Sequence, residues 1–334
     1  MEPKKYKTIS PSFRDGKPGV AEFDVIFQDE AKLKAAQKAL KLALYRAGLH
    51  EKKLIYRSRE EVLAAFNRVV WLAPESSNLA AYLPNCDLAI EAVIEDEKIK
   101  KALYAQIEKY ANPDTPIFTN TSTIKISRLA EELKRPERFM GLHFFNPVPM
   151  MKPIEAILHP TTSARTVFEA EKIAKMFGKT MRFATDTPGF VVNGAFVPAI
   201  KVVLEEIEAG ANYEEIDKAC KTGKWVNFPP ARKFVDTLIQ ESIRLIAKYK
   251  EDPRPHHFSE GQIIESIEEL MKLGTKMPAG PFELHELLKS GRAEEILKDP
   301  KSTEKYKLCL AMGPAQFIDL VGIDVALDCV KSIA

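Results

Sequence analysis

The stretch PIFTNTSTIKISRLAEELKRPERFMGLHFF (116–145) decides the fold. It opens on a short apolar run that ends in polar groups, continues through a short amphipathic segment, and closes on a second apolar run, FMGLHFF (139–145). Short apolar runs alternating with helical segments are the mark of strands buried on both faces of a parallel sheet. The pattern extends in both directions. Upstream lie FDVIF (23–27), then Leu33, Ala36, Leu40, Ala43 and Leu44 at helical spacing, VVWLA (69–73), DLAIEAV (87–93) and a helical stretch over 96–110. Downstream, the spacing predicts a helix over 163–177 and one more strand, TMRFA (180–184). The expected class is α/β, with a mostly parallel sheet.

From Gly189 the character changes to helix. Residues 191–209 form a long apolar stretch, and the remainder is rich in Lys and Glu, broken at prolines 229–230, 253–255, 278–281 and 300. The boundary is expected near 186–189, giving a sheet-bearing domain over 1–187 and an all-α domain over 188–334. GPFELHELL (280–288), GPAQFIDLV (313–321) and, more loosely, PPARKFVDTL (229–238) echo one another. The echo reads either as a duplicated helical unit or as a shared helix start with Pro in the first turn.

Composition bounds what such a chain does. Its 334 residues, 45% apolar and 29% charged, suit about two ordinary globular domains. With 49 Lys and Arg against 47 Asp and Glu, nothing calls for nucleic acid or a membrane surface as partner. No apolar stretch approaches the about 18 residues of a membrane span, and the opening MEPKKYKTISPSFRDGKPG has no apolar signal core. Cys86, Cys220, Cys309 and Cys329 are scattered, which reads as free packed thiols in a reducing cytoplasm rather than as metal ligands. Glycine is scarce: 15 residues in 334, where about 7% is usual.

The polar residues worth weighing lie between 117 and 193. TNTST (119–123) ends a predicted strand, where doubly wound sheets bind their ligands. His143 ends another strand, Glu155 follows in MMKPIEAI, and Asn193 sits in DTPGFVVNGAF. A carboxylate beside an imidazole fixes its tautomer for proton transfer, and Ser122 and Asn193 could hydrogen-bond an oxygen whose charge changes in a reaction. Taken singly, each has a plainer reading: a satisfied buried histidine, a solvated helix start at Glu155, a helix N-cap in TNTST.

CDLAIEAVIED, TNTSTIKIS, RPERFMGLHFFNPVPMMKPIEAI and DTPGFVVN together carry a resemblance. From about Phe23 to Asp236 the chain resembles the L-3-hydroxyacyl-CoA dehydrogenase family. That resemblance implies a Rossmann-like domain followed by a helical domain that pairs into a homodimer. It implies His143 as general base for the 3-hydroxyl of an acyl-CoA substrate, Glu155 as its orienter, and Ser122 and Asn193 on the substrate oxygen. Hydride would pass from carbon 3 to NAD, as in the β-oxidation of fatty acids. Cofactor contacts are implied at Asp29 (adenosine ribose), Glu95 and Lys100 (nicotinamide side), Asn120, Ser122 and Asn146. Lys52 and Lys53 match contacts to CoA phosphates, or else a solvated helix end.

One element of the family pattern is missing. The family places strand, GxGxxG and helix before the strand that ends in Asp29, and no GxGxxG occurs in these 334 residues. Only Gly16 and Gly19 precede Asp29, in a turn-like DGKPG. The cofactor diphosphate is therefore expected to be held weakly or not at all, or else the first residues replace the usual unit. A relative that binds acyl-CoA without NAD is the alternative reading.

Overall fold

The computed structural model describes residues 23–26, 34, 69–72, 79–146, 148, 151–251, 259–275, 277–306 and 308. The chain forms two compact units, one of Met1–Ala89 and Ala102–Thr115, the other of Ile90–Lys101 and Pro116–Ala334. In the first, β1 (Phe23–Ile26) and β2 (Val69–Leu72) pair in parallel, Phe23 opposite Val69 and Ile26 opposite Leu72. Both are rich in the β-branched and aromatic residues that favour strands. The short helix α1 (Leu79–Tyr82) follows.

β3 (Ala89–Glu91) and α2 (Glu97–Tyr110) cross between the two stretches of chain. Asp96 starts α2 by accepting the Ile99 N–H at 2.9 Å, and the helix carries Glu97 in its first turn and Lys109 in its last, the signs its dipole favours.

The second unit continues through β4 (Ile117–Thr119), α3 (Ile126–Ala130), β5 (Phe139–Phe144), β6 (Pro153–Ile157), α4 (Ala164–Met176) and β7 (Thr180–Ala184). The sheet order is β3-β4-β5-β6-β7. β4 and β5 are parallel, as are β6 and β7, whereas β6 runs antiparallel to β5. The sheet is thus mostly parallel, with helices α3 and α4 among its connections. β6 corrects the plainer reading of Glu155 as a solvated helix start. All five residues of PIEAI are buried, and Glu155 sits at the strand's centre with no exposure. A charge in the middle of a short apolar run disguises the strand; distant partners make the burial tolerable.

Helices then take over: α5 (Val192–Glu208), α6 (Tyr213–Thr222), α7 (Pro229–Glu251), α8 (Glu260–Thr275), α9 (Pro281–Lys289), α10 (Ala293–Ile296) and α11 (Pro300–Tyr306). Three of the expected breaks are helix starts, with Pro229, Pro281 and Pro300 as first residues, where a missing N–H loses no helical bond. Pro253, Pro255 and the repeat at 313–321 lie outside the described residues.

α5 and α7 form the core of this helical part. Ala195, Ala199 and Val203 recur at every fourth position and face the buried stripe Ala231, Phe234, Val235 and Leu238. Phe196 meets Phe234 edge to face, with centroids 5.8 Å apart. Burying each such phenyl ring contributes about 1.5–3 kcal/mol. The helices are tied to the sheet at its edge: Tyr249 Oη of α7 and Ser266 Oγ of α8 both donate to the Phe183 carbonyl of β7, at 2.7 and 3.2 Å.

Candidate active site

The antiparallel pairing of β5 with β6 places His143 directly opposite Glu155. Nδ1 of His143 lies 2.6 Å from Glu155 Oε2. The other oxygen, Oε1, accepts the backbone N–H groups of Val191 and Val192 at 3.0 and 2.9 Å, at the start of α5. A fully buried carboxylate is costly unless its lone pairs are filled, and here both oxygens are engaged. The hydrogen bond assigns the proton of a neutral ring to Nδ1 and leaves Nε2 as the acceptor.

A backbone bend aims the two amides. Gly189 (φ 75°) and Phe190 (φ 55°) both take left-handed conformations. Glycine does so freely, whereas a residue with a side chain is penalised by about 1–2 kcal/mol. Phe190 is the one non-glycine residue with positive φ among the described residues. Its buried ring lies 5.8 Å from the His143 ring, and that of Phe145 4.9 Å, so packing sustains the strain and clamps the imidazole.

A second cluster forms where β4 ends. Glu95 Oε1 gathers five donors from the TNTST loop: the Ser122 and Thr123 N–H groups, each at 2.9 Å, and the Thr121, Thr123 and Ser122 hydroxyls at 2.6, 3.0 and 3.4 Å. Burial works against its charge, but the Thr121 hydroxyl, the Lys100 ammonium and the two amides together hold the Glu95 carboxyl below its ordinary value. Asp186, just after β7, accepts the N–H groups of Ile126 and Ser127 at 2.5 and 2.8 Å and so starts α3. Asn193 Nδ2 donates to the Ser122 carbonyl at 3.3 Å. Ser122 is therefore fixed from both sides, and Asn193 follows directly on the amide that holds Glu155.

Other expected site residues fall around this cluster or beyond the description. Asn120 joins neighbouring strands, its Oδ1 accepting the Phe144 N–H and its own N–H donating to the Glu91 carbonyl, both at 2.8 Å. Asn146 is exposed, three positions past His143. The Lys100 ammonium, 1% exposed, lies 2.8 Å from Glu91 and 3.3 Å from Glu95. Asp29, Lys52, Lys53 and the residues before β1 lie outside the described residues. Sequence reasoning passed over Glu91, Asp186 and Phe190. A charge inside the apolar run DLAIEAV was the available signal for Glu91.

β4 and β5 are parallel, so their carboxyl ends share one edge of the sheet. The donor set there, a serine hydroxyl, two side-chain amides and an oriented imidazole, fits the nicotinamide end of NAD and the oxygen of its reaction partner. Among the described residues no cluster of His, Cys, Asp or Glu could hold a metal ion, and no helix is long and apolar enough to cross a membrane. Cys86 Sγ donates to the Tyr82 carbonyl at 3.5 Å, and burial, then Asp217, pushes the Cys220 thiol up to about 12.

Comparison with known proteins supplies the family. Residues 20–187 match the model of the 3-hydroxyacyl-CoA dehydrogenase NAD-binding domain. A probable 3-hydroxyacyl-CoA dehydrogenase of Caenorhabditis elegans is 44% identical over 149 residues, which are 44% of this chain and 48% of that protein. The mitochondrial hydroxyacyl-coenzyme A dehydrogenase of Rattus norvegicus is 34% identical over 208 residues, 61% of this chain and 66% of that one. The chain thus spans between about half and two thirds of the length of these curated relatives. Among solved structures, (S)-3-hydroxybutyryl-CoA dehydrogenase of Ralstonia eutropha superposes with a TM-score of 0.54 at 28% identity, covering 78% of this chain and 89% of that one. With half of its residues matching the family model, and with the sheet and helices of its relatives, the chain belongs to the 3-hydroxyacyl-CoA dehydrogenase family.

Proposed function

We propose that the chain oxidises L-3-hydroxyacyl-CoA to 3-ketoacyl-CoA, with His143 as general base and Glu155 as the group that orients it. The observation that carries this is the buried His143–Glu155 pair, whose carboxylate is held on its far side by two backbone amides. With Nδ1 committed to Glu155, Nε2 takes the proton of the 3-hydroxyl as the carbon–oxygen bond becomes a carbonyl. The ring then carries a positive charge, and Glu155 stabilises it across the 2.6 Å bond. Ser122 and Asn193 hold the substrate oxygen while its charge changes. Bound NAD supplies the hydride acceptor. Glu95 and Asn146 would line its nicotinamide side, and the helices α5 to α11 would shape the acyl pocket.

A second reading, an acyl-CoA-binding relative without NAD, is favoured by one sequence fact, the absence of GxGxxG. Two measurements separate them. Mixing the protein with NADH and acetoacetyl-CoA should remove NADH absorbance, and His143→Ala should slow this by about 10²–10⁴-fold. Equal rates in parent and variant would overturn the dehydrogenase reading. Calorimetric titration with NADH giving a Kd near about 1 μM excludes the second.

A further inference from the structure

We propose that Glu91 is a positioning residue for the Ser122 loop, acting through Lys100 and Glu95 on one side and through Thr119 on the other. The inference rests on the reading of Ser122 as a substrate contact, but its geometry stands independently.

Glu91 ends β3 with its side chain wholly buried. Oε1 accepts the Val93 N–H at 2.6 Å and the Lys100 ammonium at 2.8 Å, and Oε2 accepts the Thr119 hydroxyl at 2.7 Å. Two routes lead from there to the loop. Along the first, Lys100 reaches Glu95 Oε2 at 3.3 Å, which turns the other oxygen toward Thr121, Ser122 and Thr123. Along the second, the Thr119 hydroxyl that donates to Glu91 accepts the Thr121 N–H at 3.2 Å. Both routes converge on three consecutive residues.

Stability alone does not account for such a pair. A buried ion pair is often no more stabilising than apolar side chains of the same volume, because both charges must leave water. What it supplies is direction. Lys100 lies 3.4 Å from the Val93 carbonyl as well, so its ammonium faces three acceptors and its position is determined. Glu95, with a side chain 34% exposed, could otherwise swing into solvent and release the loop amides.

The test uses the double variant Glu91→Gln/Lys100→Met, which removes both buried charges and leaves neither unpaired. Backbone amide exchange is read at Ser122 and Thr123, with Ile126 and Ser127, held separately by Asp186, as internal reference. Exchange at Ser122 and Thr123 should quicken about tenfold, the size of one charge-assisted hydrogen bond, while the reference amides keep the parent's rates. With acetoacetyl-CoA, kcat should fall about tenfold and KM should stay within about twofold, a split that general destabilisation would not produce. Unchanged exchange at Ser122 and Thr123 overturns the proposal. If the double variant does not fold, Thr119→Val decides: faster exchange at Thr121 supports the second route, and parent-like exchange overturns it. Exchange is read without turnover, so an inactive parent sinks the functional reading and leaves this one to be judged alone.

Discussion

Glu155 and Glu268 are placed alike and differ in one oxygen. Each lends Oε1 to two successive amides at the start of a helix distant in sequence: Val191 and Val192 of α5 for Glu155, Phe282 and Glu283 of α9 for Glu268, the latter at 2.6 and 2.8 Å. Each receiving helix follows a glycine, in TPGFVV and PAGPFE. Glu155 Oε2 meets His143, whereas Glu268 Oε2 is buried with no hydrogen-bond partner among the described residues. The shared geometry is a helix cap supplied from another element, since the first amides of any helix lack internal partners. Only the occupant of the second oxygen turns a cap into a device that sets the tautomer of an imidazole.

The same substitution at both positions should separate the two roles most widely. In Glu155→Gln the Val191 and Val192 amides demand an acceptor, so the Gln carbonyl faces them and its NH₂ faces Nδ1. That forces the ring proton to Nε2 and removes the base the proposed function requires. Turnover should drop by about 10²–10⁴-fold. Glu268→Gln makes the same choice against Phe282 and Glu283, but its NH₂ faces no imidazole, and turnover should stay within about twofold of the parent. Equal losses at the two sites would break the distinction.

That distinction was half legible in the sequence. GPFEL reads as a helix start because Pro in the first turn has a local cause, and FMGLHFF reads as a strand from its apolar run. His143, Glu155, Ser122 and Asn193 stood out as polar residues at the spacing of a known family. β6 was not legible, because a charge interrupts its run and the partners that satisfy that charge are 12 residues back and 36 and 37 ahead. Glu268 was hidden for the same reason, its amides lying 14 and 15 residues on. Phe190 gives no sign of its left-handed backbone, which is held by packing on His143 and by its N–H donating to the Thr187 carbonyl at 2.9 Å. Local chemistry announces elements, while long-range satisfaction of buried groups has to be seen.

Gly280 offers the next largest effect. A methyl group there would lie 1.4 Å from Glu268 Oε2, too close for the carboxylate to stay. The side chain is flexible, so the clash resolves by Glu268 leaving the Phe282 and Glu283 amides. Gly280→Ala should therefore destabilise by about 1 kcal/mol, the worth of one helix cap, read as a lower midpoint of thermal unfolding. Glu268→Ala should cost a similar amount, and the two together no more than either alone, because both delete one cap. Additive losses would show that Gly280 matters for another reason.

The smallest effect is the one that most sharply tests the unpartnered oxygen. Burial raises the Glu268 carboxyl above its ordinary value of 4.5, outweighing the two amides and Lys272, while the neighbouring Glu283 adds to the rise. A carboxyl whose folded value is raised binds its proton more tightly folded than unfolded. Its contribution to stability is therefore greatest in acid, declines as pH climbs from the unfolded value through the folded one, and stays low above that. Glutamine does not titrate and escapes the decline. Glu268→Gln should thus gain thermal stability relative to the parent as pH rises from the acid side of 4.5 toward neutrality. A difference in melting temperature between the two proteins that does not change with pH would mean that Oε2 finds a partner in solution, and that Glu268 and Glu155 are more alike than their hydrogen bonds indicate.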